Sequence, residues 1–306
     1  MADRGSRFDW LVFLSLGGMW GSSYLFIRFG VETLTPLTLV ALRLGIGFAL
    51  IAAVVVFARE PLPRSPRVYG HLVVMAVINI VMPFYLITWA EQSVESSLAA
   101  ILTAPVPLFA IVVAALFLHD EPITVNRLVG LLIGFVGVVV LTSRGLTGIG
   151  DLAGELALVG AAVCYGSGVV YSRRHTRGLR PMIPAVFQVG FAFAISTVLA
   201  LVFERPFELS PSLTAIVSVV WLGIVGSGLA YLAFFRLLRS WGATRTSAVA
   251  YLLPIVGIVL GVAFASETID GRVLVGTAMV IGGVALVNTR FGGRRLFGRA
   301  APTTGA

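Results

Sequence analysis

Ten apolar runs, each close to the length of one membrane crossing, divide this chain almost from end to end. A transmembrane helix needs about 20 mostly apolar residues, and the connections between these runs are too short for a soluble domain. Only 12% of the residues are charged, against about 25% in a soluble domain. The sequence therefore predicts an all-α integral membrane protein with ten transmembrane helices. The predicted spans are residues 10–29, 37–57, 68–90, 96–118, 125–142, 152–172, 182–203, 213–235, 243–265 and 272–290.

The arginines at the ends of the spans predict the orientation of the chain. All 22 basic residues are arginines. With ten crossings, both termini and every second connection lie on the same side of the membrane. Seventeen arginines lie on that side, and three lie in the connections on the other side. Basic residues are retained on the cytoplasmic side of a membrane. We therefore predict a multi-pass protein of the cell (inner or plasma) membrane with both termini cytoplasmic, and we interpret the arginines as topology signals, not as a nucleic-acid site.

The second half of the chain repeats the first at an offset of 145–147 residues. WGSSYLFIR (20–28) corresponds to YGSGVVYSR (165–173), LVG (128–130) to LVG (274–276), and Pro107 to Pro254. Each half has five spans, and because five is odd the second half must be inserted upside down. Such inverted repeats build transporters with a substrate site near the middle of the membrane. We therefore predict two inverted five-helix repeats, residues 10–142 and 152–290, and an arginine-rich cytoplasmic tail, residues 291–306.

These motifs resemble the EamA family of the drug/metabolite transporter superfamily. The similar features are WGSSYLF (20–26), ALR (41–43), the proline-bearing span 4, the Glu121-Pro122 turn and the glycine-rich LVGLLIGFVGVVVL (128–141). The second half repeats the pattern with Pro254, Glu267 and LVGTAMVIGGVALV (274–287).

The resemblance implies a secondary transporter of small metabolites that works by alternating access, with spans 1, 3, 4, 6, 8 and 9 around the cavity and spans 5 and 10 outside. It also implies amino acids or related compounds as substrates, more often exported than imported. The second half departs from the pattern at two places, since Gln188 stands where Arg43 stands and Thr268 replaces the proline of the turn.

Polar and aromatic residues within the spans are the candidate substrate-binding residues. Charge inside a membrane is costly and points to function, and the guanidinium of Arg43 suits a substrate carboxylate. Alternatively, Arg28 and Arg43 extend outward to water or pair with Glu32 or Glu91, and the aromatic residues form an interfacial belt. The candidates are Trp20, Tyr24, Arg43, Asn79, Tyr85, Trp89, Tyr165, Gln188, Tyr231 and Tyr251.

Four prolines inside the spans predict kinked helices. Proline removes a backbone donor, so it is tolerated within a membrane only where a neighbour or a cavity satisfies the freed carbonyl. Pro83, Pro105, Pro107 and Pro254 are therefore candidate pivots beside the cavity; the alternative is a static kink that serves packing.

The turn carboxylates Glu121 and Glu267 are predicted to cap or ion-pair at the start of the next helix, with Arg127 or Arg272 in reach. A role in gating is the alternative.

The sequence lacks the motifs of an enzyme. It has no phosphate-binding loop, no Ser/His/Asp set and no metal-ligand spacing among its three histidines, so we predict no catalysis, no cofactor and no metal. An intramembrane enzyme and a multidrug efflux transporter are the alternatives to metabolite export. The expected partners are a small-molecule substrate and the lipid bilayer, without nucleic acid, and homodimer formation stays open. No carboxylate lies deep in a span, so the coupling ion also stays open, with Glu91 and Glu95 as the nearest acidic residues.

Overall fold

The chain is almost entirely helical over the residues that the structure describes. In this computed structural model they are residues 7–117, 123–146, 151–176, 178–180, 182–288 and 295–297. The helices are α1 (Arg7–Gly30), α2 (Pro36–Phe57), α3 (Pro66–Ala76), α4 (Met82–Ala90), α5 (Ser96–Thr103), α6 (Val106–Phe117), α7 (Val125–Leu146), α8 (Leu152–His175), α9 (Met182–Phe203), α10 (Leu213–Trp221), α11 (Ala230–Thr246), α12 (Leu252–Phe264) and α13 (Gly271–Asn288). Two short strands, β1 (Ile123–Thr124) and β2 (Arg295–Phe297), pair antiparallel.

Eight helical segments in the described part of the chain are long and apolar enough to cross a membrane. Two shorter apolar helices, Ala248–Phe264 and Gly271–Val287, follow them. Each predicted span falls on one of these segments, because an uninterrupted apolar run can satisfy its backbone in lipid only as a helix. The protein is therefore a multi-pass, all-α membrane protein.

Two π-helical segments occupy corresponding places in the two halves. Val77–Val81 joins α3 to α4, and Leu222–Leu229 joins α10 to α11. Their first residues are separated by the same offset as the sequence repeat. π-helical turns are rare and are found most often at functional sites, so the repeat extends to an irregular feature of the backbone.

The prolines lie where regular helical hydrogen bonding is interrupted. Pro105 occupies the break between α5 and α6, and Pro107 lies in the first turn of α6. Pro83 follows the first π-helical segment, and Pro254 follows a 3₁₀ turn, Ser247–Tyr251. A proline is tolerated in a first turn because its missing N–H would have no acceptor there. The regular α-helix is thus interrupted at or next to each of these prolines, whereas their role in gating stays a prediction.

The contacts between helices are preserved when the two halves are exchanged. α7 packs against α13, and α2 packs against α9. α4 packs against α8 as α11 packs against α1, and α6 packs against α8 as α12 packs against α1. The largest buried apolar cluster surrounds α5 and draws on α1, α4, α8, α10 and α13.

Glycines allow the close approach of α7 and α13. A Cβ placed on Gly283 would lie 2.6 Å from the carbonyl oxygen of Gly130 and 2.6 Å from the amide nitrogen of Gly134. Small residues in membrane helices allow such backbone contact. A similar arrangement brings α12 onto α1, where a Cβ on Gly21 would lie 2.5 Å from the Cβ of Val256.

Candidate functional site

A cavity of about 310 Å³ lies between the two halves of the bundle. Its walls come from α1, α2, α4, α5, α6, α8, α11 and α12, with further residues from both π-helical segments and the 3₁₀ turn. Among the described residues, α7, α9 and α13 contribute none to the lining. The interrupted helices therefore form part of the cavity wall together with α1, α2 and α8, and the two tightly packed glycine-rich helices, α7 and α13, lie outside it.

Six of the ten candidate binding residues line this cavity. They are Trp20, Tyr24, Arg43, Asn79, Tyr165 and Tyr231. Trp20 and Tyr165 are equivalent in the sequence repeat, so each half supplies one aromatic side chain from the same place in its first helix.

Tyr85 and Trp89 lie on α4 but do not line the cavity, to which this helix contributes Phe84 and Ile87 instead. The side chain of Trp89 is on the surface. Tyr251 is also directed elsewhere, because its hydroxyl donates a hydrogen bond of 3.0 Å to the carbonyl oxygen of Val284 on α13.

Gln188 reaches the cavity only through a neighbour. It is buried on α9, and its Oε1 accepts a long hydrogen bond of 3.5 Å from Nδ2 of Asn79. Gln188 is therefore a buried neighbour of a lining residue and not itself part of the lining.

Arg43 is a buried cation on the cavity wall. Its relative exposure is 3%, and its guanidinium carbon lies 4.3 Å from the centre of the Phe84 ring. Among the described residues its Nε has no hydrogen-bond partner. Stacking on a ring compensates part of the loss of hydration, but a guanidinium has five N–H donors. An anionic group in the cavity would supply the missing acceptor.

The remaining walls combine aromatic rings with one hydroxyl pair. The hydroxyl of Tyr24 lies 2.6 Å from Oγ1 of Thr103, which donates to the carbonyl oxygen of Ala99. The ring of Trp20 packs edge-on to Tyr231, with 6.5 Å between ring centres. No carboxylate is found among the described lining residues. The site therefore offers one cation and a largely apolar surface.

Phe84 and Phe234 also line the cavity, although the sequence did not single them out. The chain has 20 phenylalanines, and nothing in the local sequence distinguishes these two. Only the rotation of each helix about its axis selects them.

Polar contacts link the helices and connections at one end of the bundle. This end contains the α4–α5 and α12–α13 connections and is called the outer end below. Nη1 of Arg28 donates hydrogen bonds to the carbonyl oxygens of Glu91, at 2.8 Å, and Gln92, at 3.2 Å. Arg28 thus holds the main chain of the α4–α5 connection. These bonds go to the main chain and not to the carboxylate of Glu91, the ion-pair partner that the sequence offered as an alternative.

Glu267 caps a helix, but not the one that follows it. Its carboxylate accepts hydrogen bonds from the amide nitrogens of Ser96, at 2.7 Å, and Ser97, at 2.9 Å, at the start of α5. The next helix, α13, is capped by Asp270, which accepts a bond of 2.9 Å from the amide of Val273. The expected cap is therefore wrong in its target, because the α12–α13 connection lies against the start of α5. Glu121 lies outside the described residues.

The EamA-like transporter family matches residues 9–143 of this chain and, separately, residues 152–289. The chain belongs to this family. The resemblance to the drug/metabolite transporter superfamily is therefore confirmed, and both halves match the same family.

Curated relatives of this EamA-like protein are named as transporters. It is 28% identical over 273 residues to the uncharacterized inner membrane transporter YedA of Escherichia coli, across 88% of this chain and 87% of that protein. It is 24% identical to a Salmonella typhimurium protein named probable amino-acid metabolite efflux pump, across 91% and 94%. A solved crystal structure with 23% identity has the same fold, with a TM-score of 0.65 over 92% of this chain and 98% of that one.

Proposed function

We propose that this protein is a secondary active transporter that exports small carboxylate-bearing metabolites, namely amino acids or related compounds. The observation that carries the proposal is the buried guanidinium of Arg43, whose Nε has no described partner on the wall of the cavity. A guanidinium binds a carboxylate through two parallel hydrogen bonds. The substrate would supply the acceptor that the protein does not.

The shape of the cavity supports the same class of substrate. Its volume of about 310 Å³ is at the lower end of the range of small-molecule pockets, about 300–1,000 Å³. Trp20, Tyr231 and Phe234 give it an aromatic wall beside the cation. A molecule with a carboxylate and a small apolar or aromatic body fits both features. The name of the Salmonella relative, a probable amino-acid metabolite efflux pump, points to the same class.

The mechanism we propose is alternating access between two inverted repeats, each of five membrane-crossing helices, with both termini in the cytoplasm. The preserved helix contacts and the matching π-helical segments support the repeat. The breaks at Pro83, Pro105 and Pro254 lie in the helices that surround the cavity. They provide places at which helices of one half can move relative to the other while α7 stays packed against α13 and α2 against α9.

The test is uptake of a labelled amino-acid panel into inverted membrane vesicles, with and without a proton gradient that is acid inside the vesicle. We expect saturable uptake of at least one compound. Arg43→Gln should lower its apparent affinity about tenfold or more, because a charged hydrogen bond contributes about 1.5–3 kcal/mol. Arg205→Gln is the matched control, since the Arg205 side chain is 83% exposed and its ion pair with Glu208 lies at the surface.

Folded Arg43→Gln protein with unchanged affinity and carboxylate preference would refute the role of Arg43. Uptake of lipophilic cations in place of every amino acid would instead support multidrug efflux.

A further inference from the structure

Glu91 has a buried carboxylate at the outer end of the cavity. It directly follows α4, one turn beyond Ile87, which lines the cavity. Its relative exposure is 0%, and neither carboxylate oxygen has a hydrogen-bond partner among the described residues. A charged carboxylate that is removed from water without a donor is strongly disfavoured. In this conformation the neutral, protonated form of Glu91 is therefore favoured.

The basic groups near Glu91 are engaged elsewhere. Arg28 and Arg43 are the cations whose charges act on Glu91, but Arg28 donates to main-chain carbonyls and Arg43 stacks on a phenylalanine. Glu267 acts on it as a like charge and is itself held by the amide groups at the start of α5. Tyr24, which lines the cavity and interacts electrostatically with Glu91, contributes only a hydroxyl group.

The first turn of α8 and the start of α5, which lie at the same end as Glu91, carry acidic groups. α8 packs against α4 and α5, and it begins with Asp151 as its cap and Glu155 in its first turn. Asp151 is hydrogen-bonded to Ser93 in the α4–α5 connection. Glu95 stands at the start of α5. These acidic neighbours, like burial, would therefore oppose negative charge on Glu91.

We propose that Glu91 is a proton-binding site that controls the opening of the outer end. Closing the outer end transfers a proton from water on that side to the carboxylate; opening it exposes the carboxylate to water, and the proton returns. This inference rests on the proposed function, because only an alternating-access transporter opens at this end. Acid on the outer side would then favour closure once substrate has been released. If the closed state binds one more proton, the ratio of closed to open protein changes up to tenfold per pH unit.

The experiment measures opening directly and needs no substrate. Ile27, which is buried and lines the cavity, is replaced by cysteine in a background with Cys164→Ser, since Cys164 is a free thiol. A membrane-impermeant maleimide is applied to right-side-out vesicles between pH 5.5 and 8.5. Labelling rates are compared with and without Glu91→Gln, which mimics the protonated side chain at every pH. The ratio of the two rates cancels the pH dependence of the thiol chemistry.

We expect protein with native Glu91 to be labelled about fivefold faster or more than Glu91→Gln at pH 8.5, the lower end of typical couplings between linked sites. The ratio should approach one at pH 5.5. Glu32→Gln is the control, because Glu32 is an exposed carboxyl at the same end. It should leave the labelling rate of the Ile27→Cys thiol unchanged, both with native Glu91 and with Glu91→Gln. A ratio that does not vary with pH overturns the proposal and leaves Glu91 a structural residue.

If the Glu91→Gln protein does not fold, a second measurement tests the proposal with native Glu91 alone. The rate of the Ile27→Cys thiol in the native-Glu91 protein is divided by that of an exposed Glu32→Cys thiol. This quotient should fall as the pH falls, and a constant quotient overturns the proposal. Neither result depends on transport, so failure of amino-acid uptake and failure of proton binding are separate outcomes.

Discussion

Replacing Glu267 with glutamine should destabilise the protein by removing the cap of α5. The carboxylate accepts three hydrogen bonds at the start of this helix, from the amide nitrogens of Ser96 and Ser97 and from the hydroxyl of Ser96. Oε1 receives two of them and Oε2 the third. Because glutamine has one acceptor oxygen, its amide group would place N–H donors against at least one of these donors.

The magnitude follows from the groups left without a partner. Glu267 is 9% exposed, so water replaces the lost acceptor poorly. A hydrogen bond to a charged group contributes about 1.5–3 kcal/mol, and an anion at a helix N-terminus adds about 0.3–1 kcal/mol. We therefore expect Glu267→Gln to lower the free energy of unfolding by about 2–4 kcal/mol.

Thermal unfolding in detergent, followed by the loss of the monodisperse peak in size-exclusion chromatography, measures this effect. The apparent midpoint should fall by several degrees, since about 1 kcal/mol corresponds to roughly 2–4 °C in a large domain. Glu208→Gln makes the same chemical change at an outer-end residue whose carboxylate is 68% exposed, and should shift the midpoint very little. Equal shifts in the two variants would refute the capping argument.

Two further predictions concern helix packing and a surface cap. Gly283→Ala should lower the free energy of unfolding by about 1–3 kcal/mol, because the added methyl group overpacks α7 against α13. Gly282→Ala is the control and should be neutral or stabilising, since its added Cβ has nothing within 4 Å. Equal thermal midpoints for the two variants would contradict the close contact. Hydrogen bonds to the carboxylate of Asp151, first from the Ser93 side chain and then from backbone amides, lower its pKa below the ordinary 3.8. The folded state thus favours the charged form of Asp151, so Ser93→Ala should lower the thermal midpoint at pH 7. The difference in midpoint between this variant and the wild type should narrow as the pH falls below 3.8. A difference that persists in acid would contradict this assignment.

The positions of the helices could be predicted from the sequence, because lipid leaves few choices for an apolar run of 20 residues. The span predicted at 182–203 coincides with α9, and the break at Pro105 follows from the missing N–H of proline. The π-helical segments could not be predicted. Residues Val77–Val81 contain neither proline nor glycine, so the extra residue in that turn depends on tertiary packing and not on local sequence.

The orientation of side chains around each helix was the harder problem. Tyr85 and Trp89 were better candidates by chemistry than Phe84 and Ile87, yet the latter pair lines the cavity. In a soluble protein, polar residues mark the face away from the core. In lipid both faces of a helix are apolar, so this signal is lost and aromatic type alone cannot assign a side chain to the cavity or the surface. The target of Glu267 was missed for a related reason, since its partners Ser96 and Ser97 are about 170 residues away in the chain.

The two halves agree in backbone and differ in charge, and the difference matters for transport. Helix contacts and π-helical segments recur in both halves, and Trp20 and Tyr165 face the cavity from equivalent places. Arg43 has no basic counterpart, because Gln188 takes its place and lies outside the lining. A symmetric backbone allows two conformations of similar energy, one open at each end, whereas a cation present in only one half makes them unequal toward an anionic substrate. In the mechanism we propose, the repeat supplies the motion, and the departures from the repeat determine what is bound and at which end it is released.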